Sequence, residues 1–346
     1  MAMKASSPSI KTTVVGSYPV PDWLIALPSE QALKDATRTV IATQETAGLD
    51  VVCDGELYRF DPDHPQTNGM IEYFTRPMDG IRNDATFDEI IAYREQAGMG
   101  FRAKPPGVAD GEIGHGTLDL PYAAMRAGRL AQNSFKFTLT GPHMLAKTLI
   151  NKRYGTVPEM TMAIARVLAE QVGHIDAEVV QLDEANLPGH PEEWEWAAEA
   201  INLVLDAVKK TPAVHLCFGN YGGQSVQSGT WDKLINYLNL LHVDHIVMET
   251  AHRPLDELAV FKELRPEIGF GLGVVDIKVN KVESADEIAR AIERAEQILG
   301  AGRVTYINPD CGFWMLPRSV ADDKIRALVE GRDLYEGRQG SGPQVA

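Results

Sequence analysis

The sequence predicts an α/β domain folded as a single (β/α)8 TIM barrel. Short apolar runs alternate with amphipathic segments along the chain, which is typical of a parallel sheet covered by helices. About eight such units in ~300 residues fit a closed barrel. Polar motifs directly follow the apolar runs, and such positions converge on the C-terminal mouth of a barrel. A doubly wound open sheet also binds ligands at strand ends, but it less readily brings together binding residues from strands this dispersed.

The apolar runs are interpreted as strands because they are short and are bounded by turn and polar residues. The predicted strands are 12–15, 49–53, 134–139, 178–182, 213–216, 245–248, 268–275 and 304–307.

The amphipathic segments between these runs are interpreted as helices. They are 29–47, 159–174, 192–210, 231–241, 255–264, 284–299 and 319–330. Ser29 is a possible N-cap, and Ser284 with Glu287 has the spacing of a capping box. Residues 61–83 are expected to be mainly loop, and residues 87–112 show no decisive pattern.

No Pro- or Gly-rich linker divides the chain, so we expect one catalytic domain over residues 1–346. It would carry an extra N-terminal helix, loop insertions such as 60–69, and a flexible tail at residues 337–346.

Composition argues against several classes of partner. The formal net charge of −15 disfavours nonspecific binding of nucleic acids or anionic membranes. No apolar run approaches the ~18 residues of a membrane span. Three cysteines and no secretory segment fit a reducing cytoplasm better than a disulfide framework. We therefore expect a cytoplasmic protein.

Two short strings carry the strongest chemical signal. Val-His-Leu-Cys at 214–217 places His215 and Cys217 on one face of a strand, about 6.6 Å apart along the backbone. Asn-Pro-Asp-Cys-Gly at 308–312 adds Cys311 at the end of another apolar run. Two thiolates and an imidazole suit zinc, with Zn–S near ~2.3 Å and Zn–N near ~2.0 Å.

A fourth metal ligand is predicted at Glu249, which ends the intervening strand. Its carboxylate would be the weakest of the four ligands, and so the one that leaves when a thiol arrives. Each of these residues alone has an ordinary alternative, because buried cysteine and histidine are common in protein cores. Cys53 lies inside a predicted strand and is interpreted as core packing.

These strings belong to an ordered series of motifs. The series consists of Val15-Gly16-Ser17, Asp54-Gly55-Glu56, Met70-Ile71-Glu72-Tyr73-Phe74, Leu139-Thr140-Gly141-Pro142, Gln181-Leu182-Asp183-Glu184, His215-Leu216-Cys217, Glu249-Thr250, Gly273-Val274-Val275-Asp276-Ile277 and Asn308-Pro309-Asp310-Cys311-Gly312. Through this series the chain resembles the catalytic, C-terminal domain of cobalamin-independent methionine synthase, over most of its length and in a short "core" form.

The resemblance implies a (β/α)8 barrel with zinc at its C-terminal mouth. By the resemblance, the zinc ligands are His215, Cys217, Glu249 and Cys311. Ser17, Glu56 and Asp183 would bind the amino-acid part of homocysteine. An α-amino acid needs carboxylates for its ammonium and donors for its carboxylate, which these side chains supply. Alternatively, Asp183 and Glu184 form a solvated pair, and Glu56 pairs with Arg59.

The chain departs from the family on the side of the methyl donor. Lys278 stands where the family has a histidine as proton shuttle, and His143-Met144-Leu145 lacks the tryptophan expected for folate packing. Phe313 and Trp314 follow Cys311, where the family is more polar. The family's N-terminal half, which helps bind folate, has no counterpart. The thiol side of the site retains the family's motifs.

We expect zinc to hold the sulfur of homocysteine as a thiolate, which attacks an electrophilic methyl group, that of a methyl-folate. Lys278, Asp276 and His143 are the candidates, in that order, for delivering a proton to the leaving nitrogen. Alkyl transfer to another thiol such as coenzyme M, a zinc hydrolase and a closed structural zinc site are the alternatives. The oligomeric state and any accessory protein stay open.

Overall fold

The computed structural model describes residues 9–61, 69–95, 102, 104–220 and 225–338. Its strands are β1 (Lys11–Thr12), β2 (Val51–Cys53), β3 (Asp79–Arg82), β4 (Val108–Gly114), β5 (Ser134–Thr140), β6 (Ile150–Asn151), β7 (Val179–Glu184), β8 (Thr211–Leu216), β9 (His245–Met248), β10 (Gly269–Val275) and β11 (Val304–Pro309).

Eight of these strands form one parallel sheet, in the order β1-β11-β10-β9-β8-β7-β5-β2. A bridge between Thr13 and Val51 joins the two end strands, so that the sheet closes into a barrel. The eight predicted strands are the eight barrel strands, and the predicted (β/α)8 barrel is confirmed. Because all strands run the same way, their carboxyl ends meet at one mouth.

Helices cover the outside of the barrel. They are α1 (Asp22–Ala26), α2 (Glu30–Ala47), α3 (Glu72–Thr75), α4 (Phe87–Arg94), α5 (Leu120–Gly128), α6 (Pro142–Thr148), α7 (Val157–Val172), α8 (Trp194–Leu205), α9 (Ile235–Leu240), α10 (Ala285–Leu299) and α11 (Arg318–Glu336). Short 3-10 segments cover Leu57–Arg59, Leu187–Gly189, Pro191–Glu193, Trp231–Leu234 and Leu255–Glu263.

The loop expected over residues 61–83 contains the helix α3 and the strand β3 in its described part, and the unassigned residues 87–112 include α4 and the start of β4. Strands β3 and β4 pair antiparallel, and β6 adds in parallel to β4, which makes a small sheet beside the barrel. The polar string of β3, Asp-Gly-Ile-Arg, has no strand-like alternation, so its structure depends on pairing with β4 rather than on local pattern. The insertion at 60–69 lies outside the described residues over 62–68, and the predicted tail lies outside them over 339–346.

Two further helical predictions need correction. The expected helix at 255–264 is a 3-10 segment, Leu255–Glu263, bounded by Pro254 and by the Arg265-Pro266 pair. Proline disfavours the α conformation of the residue before it, which limits the length of the segment. The expected helix at 231–241 begins as a 3-10 turn and becomes α-helical only at Ile235.

Apolar residues fill the space between barrel and helices, whereas polar side chains are buried inside the barrel near its mouth. Lys136, Thr138 and Gln181 are all at most 1% exposed. Among the described helices, none combines the length and the apolar character that crossing a membrane requires.

The N-terminus of α10 carries the predicted capping box. The Ser284 hydroxyl accepts a hydrogen bond from the Glu287 N–H at 3.2 Å, and the Glu287 carboxylate accepts one from the Ser284 N–H at 2.8 Å. We predict that Ser284→Ala lowers the free energy of unfolding by about 1 kcal/mol, since a helix cap is lost. Urea denaturation measures the change, and Ser319→Ala, on the exposed start of α11, is the matched control. Equal stability of both variants would contradict the prediction.

Candidate active site

Three side chains that could ligate a metal ion, here called the metal group, meet at the mouth of the barrel. His215 is the last but one residue of β8, Cys217 directly follows that strand, and Cys311 lies two residues after β11. One ligand atom from each of the three lies within 4.8 Å of the other two, and the two sulfur atoms are 3.8 Å apart. Both cysteines are free thiols. The predicted meeting of the two strings is therefore present in the fold.

The geometry of this group fits a tetrahedral zinc ion. Two Zn–S bonds of about 2.3 Å at a tetrahedral angle place their sulfur atoms about 3.8 Å apart. His215 Nδ1 lies 2.9 Å from the Val247 carbonyl, and this hydrogen bond leaves the Nε2 lone pair available to a metal. Nε2 is buried and has no hydrogen-bond partner within the described part of the chain.

The two thiols differ in their pKa. The hydrogen bond between the two sulfur atoms, followed by the nearby His215 ring, holds the pKa of Cys311 well below its ordinary value. The same hydrogen bond, together with burial, raises the pKa of Cys217. Of the two sulfurs, Cys311 is therefore the one that loses its proton more readily, and a thiolate is the form that binds metal.

Glu249 lies beside this group, but its carboxylate is held by other partners. One oxygen accepts a hydrogen bond from the Lys278 ammonium at 3.0 Å, and the other accepts one from the Phe218 N–H at 2.9 Å. Asp310 fixes the loop that follows Glu249, because it accepts the N–H groups of residues 250, 251 and 252 at 2.8, 2.7 and 2.7 Å. Glu249 as a ligand stays a prediction.

Lys278 is buried beside this carboxylate. Burial lowers the pKa of Lys278, but the Glu249 carboxylate more than offsets that effect, so the pKa is raised overall. Asp276 accepts the Lys278 N–H at 2.8 Å and contacts the His252 ring at 3.0 Å. Lys278 is thus a firmly charged partner of Glu249, and its part in proton transfer stays a prediction.

His143 lies at the start of α6, in a different setting. Its ring lies between two carboxylates, 3.3 Å from Glu184 and 2.7 Å from Glu193. Although burial opposes the charge, these carboxylates raise its pKa to about 9. Its side chain is not among the described residues that line the central cavity. These contacts hold the start of α6 against the end of β7 and the chain that follows it.

Glu56 and the residues that contact it form the other wall of the site. Among the described residues, Glu56 is the only one other than glycine with a positive φ, at 59°. Its carboxylate accepts the Thr138 hydroxyl at 2.6 Å and pairs with Arg59 at 3.2 Å, which is the ion pair considered from the sequence. Strain of this kind persists where the surrounding structure imposes it, and it clusters at functional sites. A Cβ on Gly16 would fall 2.1 Å from the Glu56 carboxylate, so only glycine fits there.

Asp183 faces the same space from the end of β7. It accepts a hydrogen bond from Gln181 at 2.7 Å, and burial followed by the nearby Glu56 charge raises its pKa to about 7. Ser17 lies close by and is fixed by the hydrogen bond from the Phe313 N–H to its carbonyl, at 2.8 Å. A Cβ on Gly312 would fall 1.9 Å from the Ser17 hydroxyl oxygen.

One cavity of about 90 Å³ joins these groups. The predicted site residues that line it are Ser17, Glu56, Asp183, His215, Cys217 and Cys311. Lys278, Asp276, Glu249 and His143 are not among its described lining residues.

The lining also includes polar and aromatic residues without an assigned role from the sequence. They are Glu72, Arg102, Asn186, Asn220 and Trp314. Glu72 belongs to a quoted motif and Trp314 to a noted departure, but Arg102, Asn186 and Asn220 lie in chain segments without any distinguishing local pattern.

Comparison of the sequence with known proteins shows the family of the chain. Residues 10–332 match the family described as "Cobalamin-independent synthase, Catalytic domain". The chain belongs to this family. A methionine synthase of Thermococcus kodakarensis is 30% identical over 343 residues, with 94% of each chain covered. One of Sulfurisphaera tokodaii is 28% identical, with 94% of this chain and 93% of the relative covered.

Solved structures of the family share the fold. A B12-independent methionine synthase from Shewanella sp. W3-18-1, in complex with selenomethionine, superposes with a TM-score of 0.78 at 20% identity. The superposition covers 95% of this chain and 98% of that one. A putative vitamin-B12-independent methionine synthase from Listeria monocytogenes gives a TM-score of 0.68 at 16% identity, covering 92% of this chain and 96% of that one.

We predict that Cys217→Ser and Cys311→Ser each weaken zinc binding at least ~100-fold, because each removes a thiolate ligand and changes outside the ligand shell already cost ~10–100-fold. Zinc content by mass spectrometry after gel filtration, and competition with a chelator, measure the loss. Cys53→Ala is the matched control, because Cys53 is buried outside the metal group. Zinc retained at full stoichiometry in Cys217→Ser would contradict the assignment.

His143 predicts a pH-dependent contribution to stability. Its pKa rises from 6.5 to about 9 on folding, so its contribution is fully present below pH 6.5 and is lost as pH rises through about 9. We expect the stability difference between wild type and His143→Gln to shrink by on the order of 1–3 kcal/mol over this window. Urea denaturation at a series of pH values measures it, and a difference that does not change with pH would refute the charged state.

Proposed function

We propose that the protein is a zinc-dependent methyltransferase that moves a methyl group to the thiol of homocysteine and so forms methionine. The observation that carries this proposal is a single cavity lined by a sulfur-rich metal group on one side and by two buried carboxylates on the other. Such a cavity suits a small molecule with both a thiol and an ammonium. Membership of the cobalamin-independent synthase family supports the same chemistry.

The metal would be held by His215, Cys217 and Cys311, with Glu249 as the fourth ligand. Zinc at this position would lower the pKa of an incoming thiol, so that it reacts as a thiolate. The chain's own contribution is to orient these ligands. The Val247 carbonyl fixes the His215 ring, and Asp310 fixes the loop after Glu249.

The amino-acid part of the substrate would bind opposite the metal group. Glu56 and Asp183 supply negative charge for the ammonium, and Ser17 with neighbouring backbone N–H groups supplies donors for the carboxylate. Both carboxylates are buried, which strengthens their interaction with a cation that enters the cavity. The substrate's sulfur would then point toward the cysteines.

The methyl donor is proposed to be a methyl-folate. In the transfer a sulfur–carbon bond forms, the bond between nitrogen and the methyl carbon breaks, and the leaving nitrogen takes a proton. Lys278 and Asp276 remain the first candidates for that proton, since Lys278 lies against Glu249 at the metal group. His143 ranks last, because both of its ring nitrogens already contact carboxylates. The same proposal includes, as a partner of the chain, either an accessory protein or further copies of the chain in a homo-oligomer.

The alternatives fit the cavity less well. A sulfonate thiol such as coenzyme M needs a free cation, yet among the described lining residues Arg102 is the only lysine or arginine, and it pairs with Glu72. A hydrolase needs a strong Lewis acid, and two thiolate ligands weaken zinc in that role. A closed structural site would not share a cavity with buried carboxylates.

The proposed location is the cytoplasm. Cys217 and Cys311 must stay reduced to bind metal, and their sulfur atoms are only 3.8 Å apart. A reducing compartment protects such a pair from oxidation.

The direct test mixes the purified zinc form with homocysteine and methyl-tetrahydrofolate or other methyl donors, and searches for methionine by mass spectrometry. Methionine formed only with enzyme, zinc and donor together supports the proposal. Product from coenzyme M at a higher rate, or no methionine with any donor, would overturn it.

We predict that Glu56→Gln and Asp183→Asn each raise the KM for homocysteine about 10–100-fold, since each removes a charged hydrogen bond to the ammonium. Steady-state kinetics at saturating methyl donor measure the effect. Zinc content should stay unchanged in both variants, and Glu30→Gln on the exposed start of α2 is the control. An unaltered KM in both variants would remove the proposed ammonium site.

A further inference from the structure

A lysine is buried at the base of the amino-acid side of the cavity. Lys136 lies in the middle of β5 and is 1% exposed, between Phe135 and Phe137. Its ammonium donates to the Val14 carbonyl and, at 2.7 Å, to the side-chain oxygen of Gln181. No carboxylate of the described residues lies within ion-pair distance of it. A buried cation without an acidic contact is costly, so its position needs a reason.

The hydrogen bonds of Gln181 connect Lys136 to the substrate side. The NH₂ group of Gln181 donates to the Asp183 carboxylate at 2.7 Å and to the Val15 carbonyl at 3.0 Å. An ammonium has donors only, so Gln181 must present its oxygen to Lys136 and its NH₂ group to Asp183. Lys136, from the oxygen side, and the Val15 carbonyl, from the NH₂ side, thereby fix which way the amide points.

The same chain of contacts settles the orientation of Asp183. Strands β5 and β7 pair with Thr138 opposite Gln181 and Thr140 opposite Asp183, so Lys136 lies one layer below Gln181 inside the barrel. Glu56 has its own cation, Arg59, at 3.2 Å. Asp183 has none in contact among the described residues, and Lys136 is the buried positive charge beneath it.

We propose that Lys136 is a positioning residue that acts through Gln181 to aim the Asp183 carboxylate at the ammonium of the substrate, and so sets the preference for thiols that carry an α-amino group. This inference rests on the proposed function. Lys136 itself lies below the cavity and does not line it. Burial lowers its pKa only to about 8, which leaves it mainly charged at neutral pH.

Two thiols that differ only in the amino group test the inference. L-homocysteine carries the α-ammonium, and 4-mercaptobutyrate has the same chain without it. Their dissociation constants for the zinc form are measured by calorimetry, and the ratio of the two constants reports on the ammonium site alone. A general loss of structure would weaken the binding of both thiols, whereas a misplaced Asp183 would weaken the binding of homocysteine only.

We expect Lys136→Met to reduce the preference for homocysteine about 10–100-fold, as for the loss of a charged hydrogen bond, while 4-mercaptobutyrate binds as before. Gln181→Met should give the same loss with Lys136 in place. The double variant should be no worse than either single variant, because the two residues act in series. Arg332→Met is the matched control. It also removes a buried cation, one that contacts Asp50 far from the mouth, and it should leave the preference unchanged.

The outcomes separate the two proposals. Suppose first that the wild type prefers homocysteine and that both variants, Lys136→Met and Gln181→Met, keep this preference: the role of Lys136 is then refuted, and the proposed function stands. If the two variants instead bind both thiols more weakly by the same factor, Lys136 is merely structural and the inference also fails. If the wild-type zinc form does not bind homocysteine, the proposed function fails and this inference falls with it.

Discussion

Closure of the barrel is the constraint on which the rest of the structure depends. The histidine and the first cysteine of the metal group come from the end of β8, whereas the second cysteine follows β11, with β9 and β10 between them. Only a curved, closed sheet brings such ends to one point. The pairing of β1 with β11 places Ser17 against Gly312, and the bridge between Thr13 and Val51 completes the ring. The metal side and the amino-acid side therefore share one cavity.

Around that cavity, buried polar groups hold the loops in place. Asp310 gathers three backbone N–H groups after β9, and Glu184 accepts the N–H groups of Met144, Asn186 and Leu187 after two other strands. Each carboxylate satisfies donors that would otherwise be buried without partners. The loops that carry the chemistry are therefore supported by a layer of charged residues that need not touch substrate.

The eight barrel strands were predictable from the sequence because each is a short apolar run followed by polar residues. The placement of His215 and Cys217 on one side of the barrel was predictable for a related reason, since side chains two residues apart on a strand share a face. The small sheet at β3 and β4 was not predictable, because polar edge strands take their structure from pairing rather than from composition. Arg102, Asn186 and Asn220 reach the cavity through tertiary packing that no local pattern encodes.

Two buried residues depend on contacts that the sequence alone does not reveal. Lys136 interrupts the apolar run Phe-Lys-Phe, and a charged residue there can be buried only with a specific partner. Glu56 gave no sequence signal of its left-handed backbone, and its carboxylate packs closely against Gly16, which lies far away in the chain. In both cases the decisive information is a contact between distant parts of the chain.

If the metal group holds zinc with one coordination position open to the substrate's thiol, the ligands of the metal should change when homocysteine binds. X-ray absorption spectroscopy at the zinc edge measures those ligands in the purified zinc form, with and without homocysteine. We expect two sulfur ligands and one imidazole in the free protein, and a third sulfur when homocysteine is added. A zinc environment without sulfur, or one that homocysteine leaves unchanged, would refute zinc-bound thiol chemistry at this site.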